Sequence, residues 1–232
     1  MMDTAEISRV AEAGKALELA RRGERWCHLS LCLIDDVFSI GAKYGSTWRA
    51  ARRYAEFAGL EPATAPATAV SGGRYESTEE QLRAFLDRVS ELPPRELAAI
   101  LANHQRTSTR GGILKADAVV RFARILVDHE INRLGDVSTM LADTERTNLV
   151  EASLATVPGH GSGVRVSYLW MLAGDDLHVK ADRMVIRWMA QVLDRHVGVD
   201  EAAVMIQRAA AQLDVTPWML DHAVWNHQRG RR

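Results

Sequence analysis

Apolar residues recur along this chain at the three-to-four-residue interval of a helix, and nowhere alternate convincingly at the two-residue period of a strand. The first such segment, rich in Ala, Glu, Lys and Leu, predicts a helix from Asp3 or Thr4 to about Arg22, capped by Thr4. A second apolar run covers Trp26 to Ile40, with Leu29, Leu33, Val37 and Ile40 on one stripe. It breaks at Gly41 and again at Gly45, after which Ser46 is expected to cap a helix. That helix carries Trp48, Ala51 and Tyr54 on one side and Arg49, Arg52 and Arg53 on the others. Residues 61–73, rich in Ala, Thr, Pro and Gly, are expected to form a mobile loop. Ser77 opens a helix through about Val89, and Pro93 or Pro94 opens the next. The polar stretch 105–112, QRTSTRGG, precedes a series of helices at roughly 115–130, 136–142, 147–156, 163–173, 182–197, 200–213 and 217–228. No internal repeat shows, and the fold class expected is all-α.

One junction in this series carries more than a change of direction. At Val157 to Gly163 the chain reads V-P-G-H-G-S-G between two apolar helical patterns. Pro158 stops the preceding helix, and Gly159, Gly161 and Gly163 allow backbone angles that a side chain forbids. Val164, Tyr168, Met171 and Leu172 then recur at helical spacing. Several backbone N–H groups gathered at a helix start make an anion site.

Val157 to Arg187 resembles the helix-hairpin-helix DNA glycosylase superfamily, whose members carry an L-P-G-V-G-like hairpin and, further on, a catalytic aspartate opening a D-x-x-hydrophobic-x-Arg helix. The hairpin here is Val157 to Gly161, and the second motif is Asp182-Arg-Met-Val185-Ile-Arg187. The interval is slightly longer than in the endonuclease III branch, which a loop at 174–176 absorbs. The helix from Leu114 to Leu126 is similar to the one packed ahead of that hairpin, and 33–54 resembles the early helix pair whose junction wedges into DNA.

The resemblance implies a two-lobed helical fold, one lobe at 27–173 with the hairpin and a second made of 1–26 with 174–232. The second would carry the catalytic carboxylate, Asp182, with a base pocket in the cleft between the lobes. It further implies that DNA is held through backbone phosphates, with one base flipped out, by a monomer. Gly159, His160, Gly161, Ser162 and Gly163 would offer N–H groups to a phosphate, with a monovalent cation at the hairpin as in relatives. Lys43 or Tyr44 would act as the wedge. From the residues themselves, Arg106, Arg110 and Lys115 read either as a phosphate-binding edge or as a solvated loop.

Strand-cleaving relatives place a nucleophilic lysine just inside the hairpin helix. That position is Gly163 here, so the resemblance is to the monofunctional, water-using branch. Lys180 is expected to be solvated or phosphate-contacting, pointed away from Asp182 by an extended backbone. The four-cysteine iron–sulfur cluster of many relatives is not expected, because no cysteine follows Cys32. Asp182 also reads as a plain helix cap, a role in which Asp is common.

Composition adjusts this picture rather than setting it. The net charge is −1, so a DNA surface needs local clustering of Lys and Arg. Cys27 and Cys32, five apart in a helical pattern, suit a reducing cytoplasm and neither a disulfide nor a metal site. The eight histidines have no ligand spacing. Trp170, Trp188, Trp218 and Trp225 fall in apolar helical patterns and are expected in the core. No membrane span or signal segment is expected. The base excised is not legible. Two other readings stay open: a non-catalytic DNA-binding protein that keeps the hairpin, and a helical protein-interaction module.

Overall fold

The computed structural model describes residues 3–39, 41, 44–159 and 164–230, with only the backbone given for Tyr44, Val164 and Arg165. Among these residues there are thirteen α-helices and one two-stranded sheet, so the chain is mainly helical. Contacts divide it into two compact units. One is Gly23–Gly174; the other joins the chain up to Arg22 with Asp175 onward.

The larger unit begins with β1 (Glu24–Trp26) and continues through α2 (Leu29–Phe38), α3 (Tyr44–Ala58), β2 (Thr64–Pro66) and α4 (Ala67–Ser71). It is completed by α5 (Leu82–Val89), α6 (Pro94–Ile100), α7 (Lys115–Asp128), α8 (Leu134–Leu141), α9 (Thr144–Leu154) and α10 (Val164–Ala173). All ten residues of α2 are buried, and the helix packs against α3, α5, α7 and α10. A helix buried on every side forms the centre of its domain, and here it takes two acids inside with it: Asp35, whose Oδ2 accepts the Trp26 indole N–H at 2.8 Å, and Asp36. Leu29, Leu33, Phe38, Tyr54, Phe85, Phe122 and Trp170 fill the core around it. Each large side chain so buried contributes on the order of 2 kcal/mol.

The sheet was not foreseen. Arg25 pairs with Ala65 in antiparallel register, and the N–H of Cys27 continues the pairing to the Ala63 carbonyl at 3.2 Å. Three-residue strands are too short to show an alternation, and one of them lies inside 61–73, expected to be a loop. Two helix starts also differ. α3 begins at Tyr44, which puts Ser46 inside its first turn rather than at the cap. α5 begins at Leu82 instead of Ser77, because Glu79 and Glu80 turn inward before it. Glu79 Oε1 takes the N–H of Leu134 at 2.8 Å. Glu80 takes the hydroxyls of Ser30 and Tyr54 at 2.6 and 2.8 Å and pairs with Arg88.

The smaller unit consists of α1 (Thr4–Lys15), α11 (Arg183–Leu193), α12 (Val199–Gln212) and α13 (Pro217–Gly230). Its core is built on Val10, Val185, Trp188, Met189, Met205, Ile206, Leu220 and Val224. Asp3, not Thr4, caps α1 through the N–H of Ala5 at 2.9 Å. This helix stops at Lys15, well short of Arg22: the Leu17 N–H turns back to the Gly14 carbonyl, and Arg22 is captured by Asp176 at 2.8 Å. Arg195 binds Glu6 and Glu201 together, tying α1 to the start of α12 and holding both carboxyls below their ordinary range.

Candidate functional site

Asp182 occupies the N-cap of α11 with an extended backbone, φ −79° and ψ −179°. One carboxylate oxygen, Oδ1, takes the N–H groups of Met184 at 2.7 Å and Val185 at 3.4 Å. These are the donors that a helix start leaves unsatisfied, and a capping Asp removes that cost. The second oxygen has no hydrogen bond among the described residues, and the side chain is half-buried. Capping and chemistry therefore do not compete for this residue; one oxygen serves the helix and the other is uncommitted.

The approach to Asp182 is held from below. Val179 and Ala181 are buried, and the backbone N–H of Lys180 donates to Asp221 Oδ2 at 2.9 Å. The N–H of Asp182 then closes a tight turn onto the Lys180 carbonyl. Asp221, on α13, is 5% exposed. Burial pushes its carboxyl up to about 8, the charge of Asp182 acts in the same direction, and Lys180 opposes both. The side chain of Lys180 was expected to point away from Asp182. That inference fails, since residues two apart in an extended strand share a face and the backbone here is a tight turn besides. The charge of Lys180 acts on Asp221, the same group that Asp182 acts on.

In the larger unit, residues 157–159, where the sequence motif begins, are clasped by the loop before α7. Val157 is buried, and the Pro158 carbonyl accepts the Thr107 hydroxyl at 2.8 Å. Gly159 has φ +79°, and a Cβ placed on it would lie 2.6 Å from Thr107 Cβ. This position thus demands glycine on two counts, conformation and space. Thr107 is itself fixed, donating its N–H to the Ile113 carbonyl at 2.8 Å. His160, Gly161, Ser162 and Gly163 lie outside the described residues, as do Lys43 and the side chain of Tyr44.

Lys115 requires a correction. Its side chain is 1% exposed, and its ammonium donates to the Phe38 carbonyl at 3.1 Å and to Gln105 Oε1 at 2.8 Å. A buried ammonium is kept only where such acceptors surround it, so Lys115 serves the interior and not a phosphate-binding edge. Arg106 donates to the Gly112 carbonyl but stays exposed, as does Arg110.

Trp170 and Trp188 are core residues, and the Trp170 indole donates to Glu151 at 2.9 Å. Trp218 and Trp225 are only half-buried. With His222 between them they form a stack along α13, at ring separations of 4.7 and 6.1 Å. Arg22 lies 4.3 Å over Trp218, and Arg229 lies 5.2 Å over Trp225. Burial and the nearby Arg22 hold the His222 ring below its ordinary range.

Sequence reasoning missed the buried acids, Asp221 foremost. It also gave no part to a cationic face on α3. Arg49, Arg52 and Arg53 are exposed there and form no ion pair with a described carboxylate. Arg52 lies 4.6 Å over the exposed Trp48 ring. Helical spacing of the three arginines was the available signal.

Among the described residues no group of His, Cys, Asp and Glu gathers that could hold a metal ion, and no helix is long and apolar enough to cross a membrane. What the geometry defines is a helical protein of two units, with Pro158 and Gly159 clasped by Thr107 in one and a capping aspartate with an uncommitted oxygen in the other. Residues 5–229 match the model of a domain of unknown function, DUF8548, and the chain belongs to that family. No curated protein and no solved structure matches it.

Proposed function

We propose that this protein is a monofunctional DNA glycosylase, which hydrolyses the N-glycosidic bond of a damaged, mispaired or modified base flipped out of DNA. The observation that carries the reading is Asp182: a carboxylate held at a helix start by one oxygen, with the other uncommitted, following the glycine hairpin in the order the glycosylases use. As the base leaves with the electron pair of the glycosidic bond, the sugar gains oxocarbenium character. A carboxylate fixed near C1′ stabilises that charge, and water adds to C1′, giving up the proton that the departing base takes up, to leave an abasic site. The hairpin that begins at Pro158 and Gly159 would hold a backbone phosphate through its N–H groups. The exposed arginines of α3 supply the local positive charge that a chain of net charge −1 otherwise lacks.

The test is abasic-site formation on a panel of duplexes carrying alkylated, oxidised, mispaired and bulky modified bases, scored by alkali-induced strand breakage. Product from at least one duplex is expected. Duplex binding without product from any of them would convert the protein into a non-catalytic DNA binder. Neither binding nor product would leave a helical interaction module.

A further inference from the structure

Asp221 is buried with little to justify an acid in that place. Its Oδ2 accepts one backbone N–H, from Lys180 at 2.9 Å, and Oδ1 has no hydrogen-bond partner among the described residues. A carboxyl taken from water into contact with a single N–H is less favourable than an aliphatic side chain packed in the same space. Its one partner, however, is the residue two before Asp182, at the turn where the Asp182 N–H closes onto the Lys180 carbonyl. From that turn the chain enters α11 with Asp182 as its cap. α13 packs against α11, so the hydrogen bond fastens the turn to a neighbour that already fixes the helix behind it. The two carboxyls also feel each other, and the charge of Asp182 helps to keep the Asp221 carboxyl neutral.

We propose that Asp221 is a positioning residue for Asp182: by accepting the Lys180 N–H it fixes the turn at Ala181, and with it the place of the uncommitted Asp182 oxygen. The inference rests on the glycosylase reading of Asp182. A displaced carboxylate would still cap α11 but would meet the sugar poorly, and misplacement by about 1 Å costs about a hundredfold in rate.

Two variants separate the hydrogen bond from the charge. Asp221→Asn keeps an oxygen to accept the Lys180 N–H, whereas Asp221→Leu removes it. Single-turnover base release should fall about a hundredfold in Asp221→Leu and stay within about threefold of the unaltered protein in Asp221→Asn. Affinity for the substrate duplex should be unchanged in both. Amide hydrogen exchange at Lys180 should be slow in the unaltered protein and in Asp221→Asn, and fast in Asp221→Leu. An unchanged rate in Asp221→Leu would overturn the proposal, as would parallel losses of rate and DNA affinity. If Asp221→Leu does not fold, the exchange measurement decides: a Lys180 amide unprotected in the unaltered protein or in Asp221→Asn overturns it. Protection at Lys180 without base release from any duplex would instead overturn the glycosylase reading, leaving the Asp221–Lys180 bond as a structural tie alone.

Discussion

The Thr107 hydroxyl donates to the Pro158 carbonyl at 2.8 Å, and the same contact brings the Gly159 backbone against the Thr107 side chain. The loop ahead of α7 and residues 157–159 are therefore one construction, joined at a point where only a hydrogen atom fits on Gly159. Gly159→Ala meets both the left-handed backbone and the crowded Thr107, and should destabilise the protein by about 2–4 kcal/mol. Gly135→Ala is the control, since nothing lies within 4 Å of a Cβ there and its backbone is not left-handed; it should be neutral or stabilising by up to about 1 kcal/mol. Urea unfolding of the two variants checks this. Equal midpoints would mean that the clasp at Thr107 does not constrain Gly159.

Asp182 offers a way to separate capping from chemistry. Asn caps helices about as well as Asp, so Asp182→Asn should change stability little, while Asp182→Ala should cost about 1 kcal/mol. Base release should fall at least about a hundredfold in both. Duplex binding should persist in both. Single-turnover rates alongside thermal melts give the answer, and an unchanged rate in Asp182→Asn would remove Asp182 from the mechanism.

These two sites were unequally visible in the sequence. Asp182 at a helix start and Pro158 at a helix end are local signals, set by a few neighbouring residues, and both fell where the pattern put them. The run of helices from α7 to α13 was legible for the same reason. Thr107, Lys115 and Asp221 were not, because their surroundings are made by residues far along the chain. Lys115 reads as a surface lysine at the start of an amphipathic helix until Phe38 closes over it. Asp221 reads as one polar position of α13 until the turn at Lys180 arrives against it. Arg22, placed in the first helix by its neighbours, is taken out of it by Asp176.

The buried carboxyls give a signed pH dependence. Burial raises Asp221 to about 8 and Glu79 to about 7, both above the ordinary carboxyl range. The folded state therefore binds these protons more tightly than the unfolded chain. Their contribution is fully present below about pH 4 and is lost as pH rises toward 7 and 8, at up to about 1.4 kcal/mol per pH unit for each group. Relative to the unaltered protein, Asp221→Asn and Glu79→Gln should each gain stability between pH 5 and pH 8, since each keeps an acceptor without a charge to bury. Unfolding free energies at those two pH values test it, and parallel profiles for variant and parent would refute the assignment.

The cationic face of α3 predicts a change in salt dependence more than in specificity. Phosphate contacts release counterions, and each lost contact lowers the slope of log K against log salt by about 0.9 on duplex DNA. The combined variant Arg49→Gln, Arg52→Gln, Arg53→Gln should lower the slope by about 2–3 and weaken binding to every sequence alike. Titrations of a plain and a modified-base duplex at several salt concentrations report it. A slope equal to that of the parent would show that DNA does not run along α3.

The last prediction concerns strand cleavage. A bifunctional enzyme needs an unprotonated amine that reaches C1′ as the base departs, so that the departing base is replaced by a Schiff base rather than by water. The position that supplies it in the strand-cleaving relatives is Gly163 here, which has no side chain. Lys115, another amine in the chain's central region, is buried against the Phe38 carbonyl, where a sugar has no access. Lys180 lies two residues before Asp182, where its charge acts on Asp221, and does not occupy that position. The protein should therefore leave intact abasic sites, cut only by added alkali, and borohydride should trap no covalent complex with substrate DNA. Efficient trapping would overturn this expectation, and its loss in Lys180→Ala would then identify Lys180 as the nucleophile.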